Sequence, residues 1–81
     1  MKIAVQMFAV ARQLAQRDQV ELELPAGATV GDLRQALAAE VPELTSWLPN
    51  IKFAVDAEYA DDQRMLTAQQ EIACIPPVSG G

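Results

Sequence analysis

The sequence has no histidine and a single cysteine, Cys74. These two absences remove the Ser–His and Cys–His pairs of nucleophilic catalysis, most zinc-ligand spacings and any intramolecular disulfide. A reducing, cytoplasmic compartment fits that cysteine usage. Basic residues are scarce: six Lys and Arg stand against eleven Asp and Glu, a formal net charge of −5. Such a chain is repelled by nucleic acid and by anionic lipid, and its natural complement is a basic protein surface. With only two Phe, one Trp and one Tyr, the core must rest on Val, Ile, Leu and Ala. No apolar run approaches the roughly 20 residues of a membrane helix. Met1-Lys2-Ile3-Ala4 lacks the apolar h-region of a secretory signal. Asp61-Asp62 is the one close carboxylate pair in a predicted loop; without a third convergent ligand it reads as a solvated turn, so no metal site is expected.

What remains is the patterning of a single small domain of 81 residues, half of them hydrophobic. Residues 2–8 alternate as a strand, with Ile3, Val5 and Met7 on one side and Lys2, Ala4, Gln6 and Phe8 on the other. Residues 10–17 change to helical spacing, through Val10, Leu14, Ala11 and Ala15. Val20, Leu22 and Leu24 alternate with Glu21 and Glu23 in the clearest strand of the chain, which Pro25-Ala26-Gly27 ends. Thr29, with Asp32 three residues on, predicts a capped helix over residues 30–40. Its apolar stripe is Val30, Leu33, Leu37 and Val41, and Pro42 stops it. Residues 43–49 predict a short helical turn that tucks Trp47 onto the domain edge. Residues 51–56 predict a strand, Met65-Leu66 a short strand or bridge, and residues 71–75 the last strand.

One main amphipathic helix covering one face of a mixed four- or five-stranded sheet makes an α+β roll. The helix side of that sheet collects Ile3, Val5, Met7, Val20, Leu22, Leu24, Ile51, Phe53, Val55, Ile72 and Cys74. The opposite face carries Ala4, Phe8, Ala54, Ala73 and Ile75, ringed by Lys2, Gln6 and Lys52. No second helix of comparable length is available to cover it. An apolar patch left open on a small domain marks a partner surface, so Phe8, Ile75, Ala73 and Ala54 are the expected partner-binding residues.

The final strand runs straight into Pro76-Pro77-Val78-Ser79-Gly80-Gly81. The prolines end the strand and hold the chain extended, and the two glycines give a tip without side chains. The organisation expected is a domain over residues 1–75 and an extended tail over 76–81. Such a tail spans roughly 15–20 Å at about 3.3 Å per residue, enough to enter a buried site on another protein.

These features together resemble the small, sulfur-carrier subunit of molybdopterin synthase, in the ubiquitin-like β-grasp superfamily. The resemblance runs along the whole chain. It is carried by Met7-Phe8-Ala9 with Arg12 and Leu14, by Ala54-Val55-Asp56, by Met65-Leu66-Thr67 and, most specifically, by Ile75-Pro76-Pro77-Val78-Ser79-Gly80-Gly81. The chain departs from the family pattern at Ala68-Gln69-Gln70, at Asp56 and around Cys74-Ile75. The resemblance implies a β-grasp roll whose Gly81 carboxylate is adenylated by an ATP-dependent enzyme and converted to a thiocarboxylate. The tail, from Pro76 through Pro77, Val78, Ser79 and Gly80, would insert into a large catalytic subunit, where the sulfur passes to a pterin precursor in molybdenum cofactor biosynthesis. It also implies a heterotetramer of two small and two large subunits, no cofactor on this chain, and catalytic side chains on the partner. Three other readings share these residues: a thiamine-pathway sulfur carrier, a ubiquitin-like protein modifier, and a β-grasp interaction module that does not use Gly81. Pro-Pro-Val-Ser before the glycines favours the molybdopterin branch. Cys74 is the rival sulfur carrier within the chain, but its place on the core face of a strand, with no basic neighbour in sequence, marks a structural thiol.

Overall fold

In a computed structural model, which describes residues 1–77, five strands form one mixed sheet with two helices and two 3-10 turns. The strands are β1 (Lys2–Met7), β2 (Gln19–Glu23), β3 (Lys52–Val55), β4 (Glu58–Ala60) and β5 (Ile72–Ile75); the helices are α1 (Ala9–Ala15) and α2 (Val30–Glu40). Their order across the sheet is β2-β1-β5-β3-β4. The last strand in sequence is therefore the centre of the sheet. It pairs in parallel with β1, through Val5↔Ile72 and Met7↔Cys74, and antiparallel with β3, through Lys52↔Ile75 and Val55↔Ile72. Two neighbours thus fix the position and direction in which the chain leaves β5 at Pro76.

The alternation read from sequence is the alternation of burial. Ile3, Val5, Met7, Val20, Leu22, Leu24, Ile51, Phe53, Val55, Ile72 and Cys74 are all buried in one cluster beneath α2, whose Val30, Leu33 and Leu37 are fully buried against them. Helix α2 begins as its sequence dictates. The Thr29 hydroxyl accepts from the Asp32 N–H and the Asp32 carboxylate accepts from the Thr29 N–H, at 3.3 and 3.0 Å. Two more orphan donors of the first turn, Val30 N–H and Gly31 N–H, donate to the carbonyls of Arg64 and Asp62 at 2.9 Å each. Gly31 permits that approach: a Cβ there would lie 3.2 Å from the Asp62 carbonyl oxygen.

Arg34 fastens the other side of this loop. Its Nη1 donates to the carbonyls of Leu48 and Ile51, the latter at 2.7 Å, while Nη2 meets the Asp62 carboxylate at 2.7 Å. Its guanidinium also stands 5.0 Å from the centre of the Phe53 ring. One side chain on α2 thereby ties together the 3-10 turn Leu48–Asn50, the entry to β3 and the loop after β4. In the sequence Arg34 reads as one more exposed helix residue.

Four boundaries differ from the expectation. First, β1 stops at Met7, and Phe8 becomes the N-cap residue of α1, because Ala9 takes a left-handed φ of 52° that no strand continues. Second, α1 buries Ala11 and Ala15, with Leu14 packed at the edge and Val10 only half-buried, since the small side chains let the helix lie closest to the sheet. Third, the single turn expected over 43–49 is two 3-10 turns, Pro42–Leu44 and Leu48–Asn50, with half-buried Trp47 between them. Finally, Glu58–Ala60 is a strand that the sequence does not predict, while Met65-Leu66, expected as a short strand or bridge, is a bridge. Met65 makes only an isolated bridge to Thr29, because the loop around it is spent satisfying the start of α2. No helix among the described residues is long and apolar enough to cross a membrane.

Candidate functional site

The face of the sheet away from α2 is divided. Over β1 and β2 it is polar: Lys2 pairs with Glu23, Ala4 with Glu21 and Gln6 with Gln19, the two glutamines joined by a 2.9 Å hydrogen bond. Over β5, β3 and β4 it is apolar. Ala73 lies opposite Ala54, and Ala54 opposite Tyr59, so their side chains share one side of the pleat. There, Phe8, Ala54, Ala57, Tyr59, Ala73 and Ile75 line an open groove of about 410 Å³.

All four residues expected from sequence meet in this groove, although they come from the N-cap of α1, from β3 and from β5. Phe8 is 50% exposed; as an N-cap residue it has left the strand and stands over the sheet instead of turning into the core. Ala73 and Ile75 are half-buried. Ala54 corrects the expectation of an exposed alanine: it is buried, because Ala73 and Tyr59 flank it on both sides and its short side chain forms the groove floor.

Ala57 and Tyr59 are the members that sequence reading missed. Tyr59 is 67% exposed, and the Lys52 ammonium sits 5.5 Å from its ring centre. It belongs to a three-residue strand, too short to show periodicity, and the turn before it contains neither glycine nor asparagine to announce a hairpin. An aromatic at 59 close behind the alternating run at 52–55, with only Asp56, Ala57 and Glu58 between them, is the available signal.

A second cavity, of about 390 Å³, continues from the first. Tyr59 and Ile75 line both, and Asn50, Lys52, Pro76 and Pro77 complete it. The apolar groove therefore adjoins, across Tyr59 and Ile75, the point at Pro76 and Pro77 where the chain leaves β5. Pro76 is buried and Pro77 exposed. Val78, Ser79, Gly80 and Gly81, the rest of the expected tail, lie outside the described residues.

Cys74 sits between Ala73 and Ile75 on β5 but points to the covered face and is fully buried. Burial pushes its thiol up to about 11, against a weaker opposing pull from the Arg34 guanidinium. A thiol so protonated and enclosed has neither the thiolate nor the access that sulfur carriage needs. Among the described residues no group of three or more His, Cys, Asp and Glu is placed to hold a metal ion.

A model of the ThiS family matches residues 5–81. The chain is 37% identical to the molybdopterin synthase sulfur carrier subunit of Chlamydomonas reinhardtii, with both chains covered in full. Among solved structures, SAMP1 of Haloferax volcanii, a small archaeal modifier protein, superposes with a TM-score of 0.90 at 29% identity over the whole of both chains. A chain from the complex of subunits 1 and 2 of molybdopterin-converting factor from Helicobacter pylori shares the fold, with a TM-score of 0.68 at 22% identity and full coverage of both. The chain belongs to the ThiS family of ubiquitin-like β-grasp proteins, and within it to the molybdopterin synthase sulfur carrier subunits.

Proposed function

We propose that this protein is the sulfur-donor subunit of a molybdopterin synthase, and that Gly81 is the atom-carrying residue. The observation that carries the reading is the full-length match to a molybdopterin synthase sulfur carrier subunit, in a family match that runs to Gly81. The chemistry follows from what a carboxylate lacks. It is a poor electrophile, so an ATP-dependent enzyme first joins it to AMP, with pyrophosphate leaving. A persulfide sulfur then attacks the acyl carbon and AMP leaves. Reduction of the acyl disulfide by a thiol frees the thiocarboxylate, whose soft sulfur attacks the pterin precursor. ATP is used by the activating enzyme and is not a cofactor of this chain.

The large subunit supplies the acids and bases in this reading, and this chain supplies placement. A partner seated in the groove of Phe8, Ala54, Ala73 and Ile75 finds the tail base at the groove's end, where Tyr59 and Ile75 adjoin Pro76 and Pro77. Residues 76–81 then deliver the sulfur into the partner, Gly80 and Gly81 passing where a Cβ would obstruct. The existence of a subunit 1–subunit 2 complex in Helicobacter pylori supports a large-subunit partner here. Two small and two large subunits in a cytoplasmic heterotetramer complete the proposal.

Intact-mass measurement tests it. Incubation with the activating enzyme, ATP and a persulfide donor should exchange one oxygen of the chain for sulfur. Deletion of Gly81 should abolish both the exchange and sulfur transfer to the precursor, with an unchanged melting temperature. Undiminished transfer by the deletion variant would sink the tail mechanism.

The likeness to SAMP1 favours a second reading, a protein modifier that passes the activated Gly81 acyl group to lysines. Lysine-linked conjugates of the chain in cells, lost on deleting Gly81, would identify that use.

A further inference from the structure

The β3–β4 connection is a two-residue turn, Asp56-Ala57, with Val55 paired to Glu58. Both turn residues have positive φ, 51° and 68°. That geometry is the one two-residue hairpins prefer, and Asn-Gly or Asp-Gly is its usual sequence because a Cβ in the left-handed region crowds the following carbonyl. Asp56 tolerates it, and is also pinned: its N–H donates to the Glu71 carbonyl at 2.8 Å and its carboxylate accepts from the Glu71 N–H at 2.9 Å. Ala57 makes no such bond among the described residues. It holds a strained backbone, is exposed, and forms the groove wall with Phe8 and Tyr59.

We propose that the methyl group of Ala57 is a partner contact, held in a left-handed turn so that it closes the wall of the groove. The inference rests on the docking reading above and extends it to the hairpin. Asp56 is the positioning residue, since its two bonds to Glu71 fix the turn against the start of β5, the strand that carries the groove's far side. Strain kept at a surface turn has a physical reason when the strained side chain is used. The large subunit is the occupant because the groove adjoins, across Tyr59 and Ile75, the Pro76-Pro77 exit from which the proposed tail would reach that same partner.

The test is Ala57→Gly, measured for thermal stability and for binding of the purified large subunit to the full chain. Glycine removes the left-handed penalty and the methyl together. The melting temperature should rise by about 3–8 °C, while the dissociation constant weakens about three- to tenfold, chiefly through faster dissociation. A role in folding alone raises the melting temperature and leaves the dissociation constant unchanged, so a higher melting temperature together with weaker binding is the signature. A dissociation constant within about twofold of the parent removes Ala57 from the contact. Phe8→Asp, run beside it, separates the two failures: if Phe8→Asp binds normally as well, the docking reading has fallen, whereas if only Phe8→Asp binds weakly, docking stands and the inference about Ala57 is overturned.

Discussion

The two faces of one sheet are built from the same strands and behave as different materials. On β5, Ile72 and Cys74 are fully buried beneath α2, whereas Ala73 and Ile75, one residue away, border an open groove. On β3, Phe53 and Val55 are sealed into the core while Lys52 is exposed and reaches toward Tyr59. The covered face uses large branched side chains and Phe53, all interlocked. The open face uses alanine for its floor and places its aromatics at the rim, on residues outside the central strands. Small floor and aromatic rim make a depression, which is the shape that accepts a partner's side chains. The lesson is a division by pleat: the odd positions of β1 and the even positions of β5 form the sealed core, whereas the odd positions of β5 border the open groove and the even positions of β1 face the polar half of the same side.

The comparison breaks first if a covered-face substitution is tolerated. Phe53→Ala empties the centre of the core and also removes the ring beneath Arg34. It should cost about 3–5 kcal/mol, measured by urea unfolding. For a domain of this size, whose total stability is about 5–10 kcal/mol, that leaves the variant largely marginal. A loss under about 1 kcal/mol would mean the covered face is loosely packed, and the contrast between faces would disappear.

The next largest effect is on the open face and should leave folding alone. Phe8→Asp puts a carboxylate at the groove rim, where water still reaches half of the residue. Stability should stay within about 0.5 kcal/mol of the parent. Affinity for the large subunit should fall by about 30- to 100-fold, as desolvating a carboxylate against an apolar partner requires. The same measurement with Ile75→Asp extends the patch toward the tail. Stability lost in proportion to affinity would show that Phe8 belongs to the covered face after all.

This division explains which parts of the structure were legible in the sequence. Period-two alternation reports burial, so the eleven residues assigned to the helix side are the eleven found buried there. The start of α2 was legible because Thr29 and Asp32 bond each other locally. Long-range bonds leave no such local trace. Nothing in Gly-Asp-Leu-Arg-Gln announces that Arg34 will meet Asp62, Leu48 and Ile51, 28, 14 and 17 residues away. The same holds for Ala57: its strain comes from the pairing of β3 with β4, and β4 is too short to be read as a strand. Alternation alone does not explain why Phe8 lies in the groove. This residue reaches the rim because the strand has ended and α1 has begun, not because it is the last alternating residue.

The smallest effect comes from Cys74, and it sharpens the contrast by pH. In the folded protein burial holds the thiol protonated up to about 11, against an ordinary value of 9.0. Between those values the unfolded chain releases the thiol proton and the native chain keeps it. The unfolded state then binds fewer protons, so stability falls as pH rises. The contribution is fully present below about pH 9 and lost through about pH 11, on the order of 2 kcal/mol in all. Tyrosine and lysine titrate in the same range, so the measurement is a difference: urea midpoints of the parent and of Cys74→Val, followed from about pH 8 to about pH 11. Valine keeps an apolar side chain of similar size and has nothing to ionise, so the parent should lose stability faster than the variant above pH 9. Parallel curves would mean the thiol ionises in place, with water reaching the covered face at the centre strand. In that case the two sides of β5, one residue apart, would not differ as sealed and open surfaces do.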